Sequence, residues 1–200
     1  MTKIPTEPVI ETHPFPPFLP PQARVLVLGT FPPAAGKRAM DFYYPNFQND
    51  MWRIMGLIFF QNPDYFRKGE AKAFDPQKIQ QELSRLGIAL GPTVLRAIRE
   101  KGNASDKFLQ VVEPADLKAM LHQLPQCQAL ATTGEKATEL VLAQCENPPA
   151  LPKSGASVPI TLGGRHYTLS RLPSTSRAYP LKLEKKAAAY QDFFKAFGLL

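Results

Sequence analysis

The feature that most constrains this chain is its alternation of short apolar runs with helix-periodic segments. Residues 24–30, RVLVLGT, place four aliphatic residues in a row before a glycine. Such a run suits a strand covered on both faces, which is how parallel strands sit in a sheet. GIALGPTV, CQALATT and RHYTLSRL supply three more strand candidates. Between them lie TVLRAIREKG, ADLKAMLHQL and GEKATELVLAQ, each with aliphatic residues three and four apart, as an amphipathic helix requires. Asp75, Pro76 and Gly87 read as the N-cap, first turn and C-terminal stop of one helix. Met51, Ile54, Met55 and Ile58 place another in FQNDMWRIMGLIFF. Leu183, Ala187, Tyr190, Phe194 and Phe197 form the apolar stripe of a last helix. Strand and helix in alternation predict an α/β fold: a central, mainly parallel sheet of about four strands between two helical layers. VPITLGGRHYTLSRL allows a Gly-Gly hairpin leading into the last strand.

Two hundred residues, 44% of them hydrophobic, suit one domain. Residues 1–22 carry seven prolines and no continuous apolar run, so they read as an extended arm, laid on the domain or loose, before a single domain at 23–200. Nothing approaches a membrane-spanning length. Two cysteines, Cys127 and Cys145, make no disulfide framework, and His13, His122 and His166 share no metal-ligand spacing. A reduced cytoplasmic setting, no metal, no cofactor, no membrane and a monomeric state are expected.

The sequence VLVLGTFPPAAGKR looks like a phosphate-binding loop and is not one. Six residues separate Gly29 from Gly36, Arg38 stands where a hydroxyl is needed, and Pro32 and Pro33 lack an N–H to donate. A rigid loop after a buried strand shapes a pocket wall instead. Charge gives a second clue. From Leu151 onward eight basic residues face only Glu184 and Asp192, a surplus of six in a chain whose net charge is +7. That concentration fits a polyanion partner, although a basic surface without a partner has the same composition.

Two loops that follow strands, GTFPPAAGKRAMDFYYPNFQNDMW and LPSTSRAYP, are chemically unusual. Gly29, Thr30, Phe31 and Pro32, then the pair Tyr43 and Tyr44, then Asn49 and Trp52, and finally Leu172, Pro173, Ser174, Thr175 and Ser176 occur in that order. In these motifs the chain resembles the uracil-DNA glycosylase superfamily, most closely its hypoxanthine-DNA glycosylase branch, over residues 24–194. Pro33, Asn46, Phe47 and Met51 depart from that branch's pattern, and the Trp-Asp that often follows its second strand is missing.

The resemblance implies a three-layer α/β/α sandwich and a monofunctional DNA glycosylase that hydrolyses the N-glycosidic bond of a deaminated base, hypoxanthine, uracil or xanthine. Its partner would be DNA containing such a base. An enzyme of this kind must rotate a nucleotide from the stack, enclose it and stabilise charge as the bond breaks. Phe31 offers an aromatic face and Asn49 an edge-reading amide; Asp50 is a possible base, though acidic residues favour a helix start anyway. Thr30, Pro32, Tyr43, Tyr44 and Leu172 are the further pocket residues. Pro173, Ser174, Thr175, Ser176, Arg177 and Lys37 are the DNA-contacting set, with Arg177, Ala178 or Tyr179 as a wedge for the gap in the duplex. Core packing for Phe31 and a capping role for Asn49 stand as the structural alternatives. No carboxylate follows Gly29 directly, where the uracil-specific branch keeps one to activate water. A catalytically silent nucleic-acid-binding module of the same fold is therefore the rival function, and a small-molecule N-glycoside hydrolase a third.

Overall fold

The computed structural model describes residues 9–100 and 106–200. The first eight residues of the Pro-rich arm and the Lys101-Gly102 end of TVLRAIREKG lie outside the described residues. Among those described, the main sheet has the order β3-β2-β6-β8-β7, formed by Ile88–Pro92, Val25–Gly29, Ala129–Thr132, Arg165–Arg171 and Ser157–Leu162. Its first four strands run parallel, and β7 closes the edge antiparallel to β8. The α/β class holds, with five strands in this sheet.

The continuous apolar run of β2 has a simple cause. Val25 and Val27 face one helical layer, formed by α1 (Met51–Phe60), α2 (Pro76–Leu86) and α5 (Leu183–Ala196). Leu26 and Leu28 face the other, formed by α3 (Leu117–His122) and α4 (Glu135–Leu142). Side chains alternate across a strand, so a strand covered twice must be apolar throughout. Asp75 accepts from the amides of Gln77 and Lys78 at the start of α2, and Gly87, at φ 74°, ends it. In the β7–β8 hairpin Gly163 and Gly164 take φ of 61° and 73°, the paired left-handed turn that glycine tolerates best.

One expected helix is a strand. TVLRAIREKG contributes β4 (Val94–Arg99), which pairs antiparallel with β5 (Leu109–Pro114) and with β1 (Ile10–Thr12). Register shifts between Val94 and Arg96, and again between Arg96 and Ala97, break the strand's alternation. Val94 and Ala97 are buried while Leu95 and Arg96 are exposed, so a strand interrupted by a bulge mimics helical spacing.

The described part of the arm is laid on the domain. Ile10 pairs with Ile98, and Phe18 exchanges two backbone hydrogen bonds of 2.9 Å with Leu90. The arm therefore covers what would otherwise be an open edge of β4.

Candidate active-site cleft

In a doubly wound sheet, ligands bind beyond the carboxyl ends of strands where the winding reverses. Here α2 carries the chain from β2 to β3 on one side, and the next parallel strand, β6, lies on the other. A cleft of about 740 Å³ opens at that end, between the loops after β2, β6 and β8.

The β2 loop provides Thr30, Phe31 and Pro32, and the segment leading to α1 provides Tyr43, Tyr44 and Asn49. From the β8 loop come Ser174, Thr175, Ser176, Arg177, Ala178 and Tyr179. Distant parts of the chain thus meet around one space.

Phe31 is half-buried, edge-on to His13 with ring centroids 5.6 Å apart, while the Arg99 guanidinium lies 5.2 Å from its ring centre. Arg99 also pairs with Glu11 of the arm at 2.8 Å and donates to the Pro32 carbonyl. The arm accordingly fixes the aromatic wall. His13 and Phe15, both from the arm, line the cleft themselves. Burial is the chief reason that the His13 pKa falls from 6.5 to about 4.

The two tyrosines are held from behind. The Trp52 indole donates to the Tyr43 carbonyl at 3.1 Å, and the Tyr43 hydroxyl donates to the Pro16 carbonyl at 3.2 Å. Burial raises both phenol pKa values, that of Tyr44 to about 12, so they are neutral donors. Tyr44 adopts φ 52°, in the left-handed region that a residue of its bulk rarely enters. Such strain gathers at functional sites, where surrounding structure over-determines the backbone.

Asn49 Oδ1 accepts from the Met51 amide at 2.9 Å, orienting the side chain at the start of α1. Among the described residues its Nδ2 has no protein partner, so capping and edge-reading are compatible in one residue. Ser174 and Ser176 accept from the amides of Ser176 and Ala178, each at 3.2 Å, giving the β8 loop two tight side-chain turns.

Four expected site residues sit elsewhere. Asp50 does not line the cleft: Oδ1 accepts from Arg177 Nε at 3.1 Å and Oδ2 from Lys186 Nζ at 2.9 Å. Lys186 Nζ also donates to the Ser176 carbonyl at 2.8 Å, and the Asp50 amide to the Thr175 carbonyl at 2.9 Å. Asp50 is thus the anchor tying α1, α5 and the β8 loop together, and two cations occupy the oxygens a base would use. Leu172 is buried in the core beneath the cleft. Pro173 is buried too, its carbonyl accepting from Tyr190 at 3.0 Å. Lys37 is exposed on a short 3-10 turn outside the cleft.

The sequence reading missed Asp106. It lines the cleft, its Oδ1 accepts from the Thr30 hydroxyl, and Lys136 Nζ donates to its carbonyl at 2.9 Å. Desolvation raises its pKa, against the lowering effects of the Thr30 hydrogen bond and of Lys136. No motif marks Asp106, and only the meeting of β5's approach with the β2 loop makes it conspicuous. Lys107 beside it lines the cleft as well.

Comparison with known proteins bears on the fold. No family model matches the chain, and no curated protein does. A solved structure matches over nearly its whole length: the solution NMR structure of a Methanosarcina acetivorans protein provisionally described as a uracil DNA glycosylase. The TM-score is 0.65 at 20% identity, covering 94% of this chain and 99% of that one. The two chains share a fold. Among the described residues of this one, no helix is long and apolar enough to cross a membrane.

Proposed function

We propose that the protein is a DNA glycosylase that hydrolyses the N-glycosidic bond of a deaminated base rotated into the cleft. The observation that carries this reading is the convergence of Phe31, Tyr44, Asn49 and Ser174–Tyr179 around one space open to solvent. An extruded base needs a flat apolar face, a donor to its edge and a grip on the flanking backbone, and these residues supply one each. Phe31 stacks on the base. Asn49 Nδ2 donates to a base carbonyl and strengthens that bond as negative charge develops on the leaving group. The β8 loop presents its serine hydroxyls to phosphate, with Tyr179, an exposed aromatic, as the wedge that replaces the lost stacking.

Charge placement refines the expectation of a basic last quarter. Lys186 is spent on Asp50, Arg171 on Glu135, and Arg165 on carbonyls at the end of α3 and the loop after it. Lys153, Lys182, Lys185 and Lys195 remain exposed, and Arg177, half exposed, keeps part of its guanidinium free beside its Asp50 contact. DNA affinity should accordingly fall steeply with salt.

The test is incubation of excess protein with single- and double-stranded oligonucleotides carrying hypoxanthine, uracil or xanthine, followed by chromatography of the freed base. The reading predicts release of at least one, and loss of release in Asn49→Ala with binding retained. Salt-sensitive binding with no release from any substrate would instead favour a silent binding module, and release from free nucleosides alone a small-molecule hydrolase.

A further inference from the structure

Hydrolysis of an N-glycosidic bond requires water to lose a proton as its oxygen joins C1′, yet no carboxylate directly follows Gly29 in the β2 loop, and Asp41 and Asp50 further along it do not line the cleft. Among the described residues lining the cleft, Asp106 is the one acid. It reaches the β2 loop from the far side of the antiparallel sheet, where a short 3-10 turn, Asp106–Phe108, leads into β5. Thr30, two positions into the motif that forms the cleft floor, donates its hydroxyl to Asp106 Oδ1. Lys136, from α4, fixes the turn by donating to the backbone carbonyls of Asp106 and Leu109. Among the described residues Oδ2 has no partner, and Asp106 is only half-buried where it lines the cleft. One oxygen is tethered and the other is left for a small molecule.

We propose that Asp106 is the catalytic base of this cleft, its Oδ2 accepting the proton of the water that attacks C1′ of the flipped nucleotide. The assignment rests on the hydrolytic reading above. In the step, the water oxygen forms a bond to C1′, the C1′–N bond breaks with its electron pair passing to the base, and the water proton moves to Oδ2. The base leaves as the anion that Asn49 stabilises, and the proton on Asp106 then returns to solvent.

Several features make Asp106 suited to this. Thr30 aims the carboxylate through a single neutral hydroxyl, whereas both oxygens of Asp50 are already taken by cations. Desolvation raises the affinity of Asp106 for a proton, as a base requires, while Lys136 opposes full protonation. The other titratable groups around it are Tyr44, neutral through the physiological range, and the basic side chain of Lys107. His13 is neutral well above pH 4. The carboxyl of Asp106 is thus the group whose ionisation gives base release an acidic limb, with rate rising with pH until Asp106 is fully ionised.

The experiment compares single-turnover base release, across acidic to neutral pH, by wild-type protein, Asp106→Asn and Asp106→Ala on the best substrate of the oligonucleotide panel. Binding of an abasic-site duplex, measured alongside, registers whether each variant keeps its fold. The expected result is a rate about 10²–10⁴-fold lower in Asp106→Asn, the usual worth of a positioned base. Its acidic limb should vanish, and added sodium formate should restore Asp106→Ala against a chloride control of equal ionic strength. Asp106→Asn matching wild type in rate and pH profile would overturn the assignment. So would an Asp106→Ala that binds the duplex but that formate never restores. A wild type that releases no base would overturn the hydrolytic reading itself, an outcome distinct from these two.

Discussion

Replacing Lys186 by methionine tests how the cleft is assembled. Lys186 is 1% exposed and its partner Asp50 11%. Deleting one charge of a buried pair costs about 3–5 kcal/mol, because the other is left uncompensated. Arg177, half exposed, still reaches Asp50 Oδ1 and offsets part of this, placing the expected loss near 3 kcal/mol at the low end of that range. For a chain of this size that is a fall in melting temperature of about 6–12 °C. The double variant Asp50→Leu/Lys186→Met should regain most of it, since an apolar pair of similar size escapes the desolvation cost of two buried ions. Asp50 makes no side-chain cap bond to α1, so no capping energy is lost with it. The double variant should melt near wild type yet release base poorly, because the Lys186 tie to the Ser176 carbonyl is still gone. Circular-dichroism melts and guanidinium titrations of the four proteins make the cycle. Lys186→Met melting within about a degree of wild type, or a double variant no more stable than the single, would refute the reasoning.

Further expectations follow from the same geometry. The His13 pKa is lowered from 6.5 to about 4, so the stability due to its neutral, buried ring is complete above pH 6.5 and is lost as pH falls toward 4. The loss amounts to roughly 3 kcal/mol, and a His13→Phe protein should show a correspondingly flatter acid limb in its melting temperature. Gly56→Ala should destabilise the fold by more than the usual few tenths of a surface change, since its Cβ would meet the backbone carbonyl of Asn62, which cannot swing aside. Truncating Phe31 to alanine should weaken binding of a flipped base by about 1–3 kcal/mol, read as a rise in KM for the preferred oligonucleotide.

The main sheet was legible because its central strand is covered twice, and two-sided burial writes an unbroken apolar run into RVLVLG. Asp75 and Gly87 likewise announce α2 through local backbone chemistry alone. The small sheet was not legible: the bulge in β4 replaces alternation by a spacing that helices share. In the cleft, Phe31, Asn49 and the β8 serines could be singled out because their motifs are contiguous. The true setting of Asp50 could not, since its partners Arg177 and Lys186 lie 127 and 136 positions away. Asp106 is the sharper case. Its importance comes from meeting Thr30 across 76 positions, and no local pattern encodes that encounter.

The central claim is that one extruded nucleotide occupies the space between the β2 and β8 loops. A crystal structure of the protein bound to a duplex carrying a 2′-fluoro analogue of its preferred nucleotide, which resists cleavage, tests it most directly. The account predicts that nucleotide outside the helix, its base against Phe31 and within hydrogen-bond distance of Asn49 Nδ2, with Asp106 on the side of the sugar opposite the base. A base still stacked in the duplex, or DNA bound on a face remote from this cleft, would contradict it.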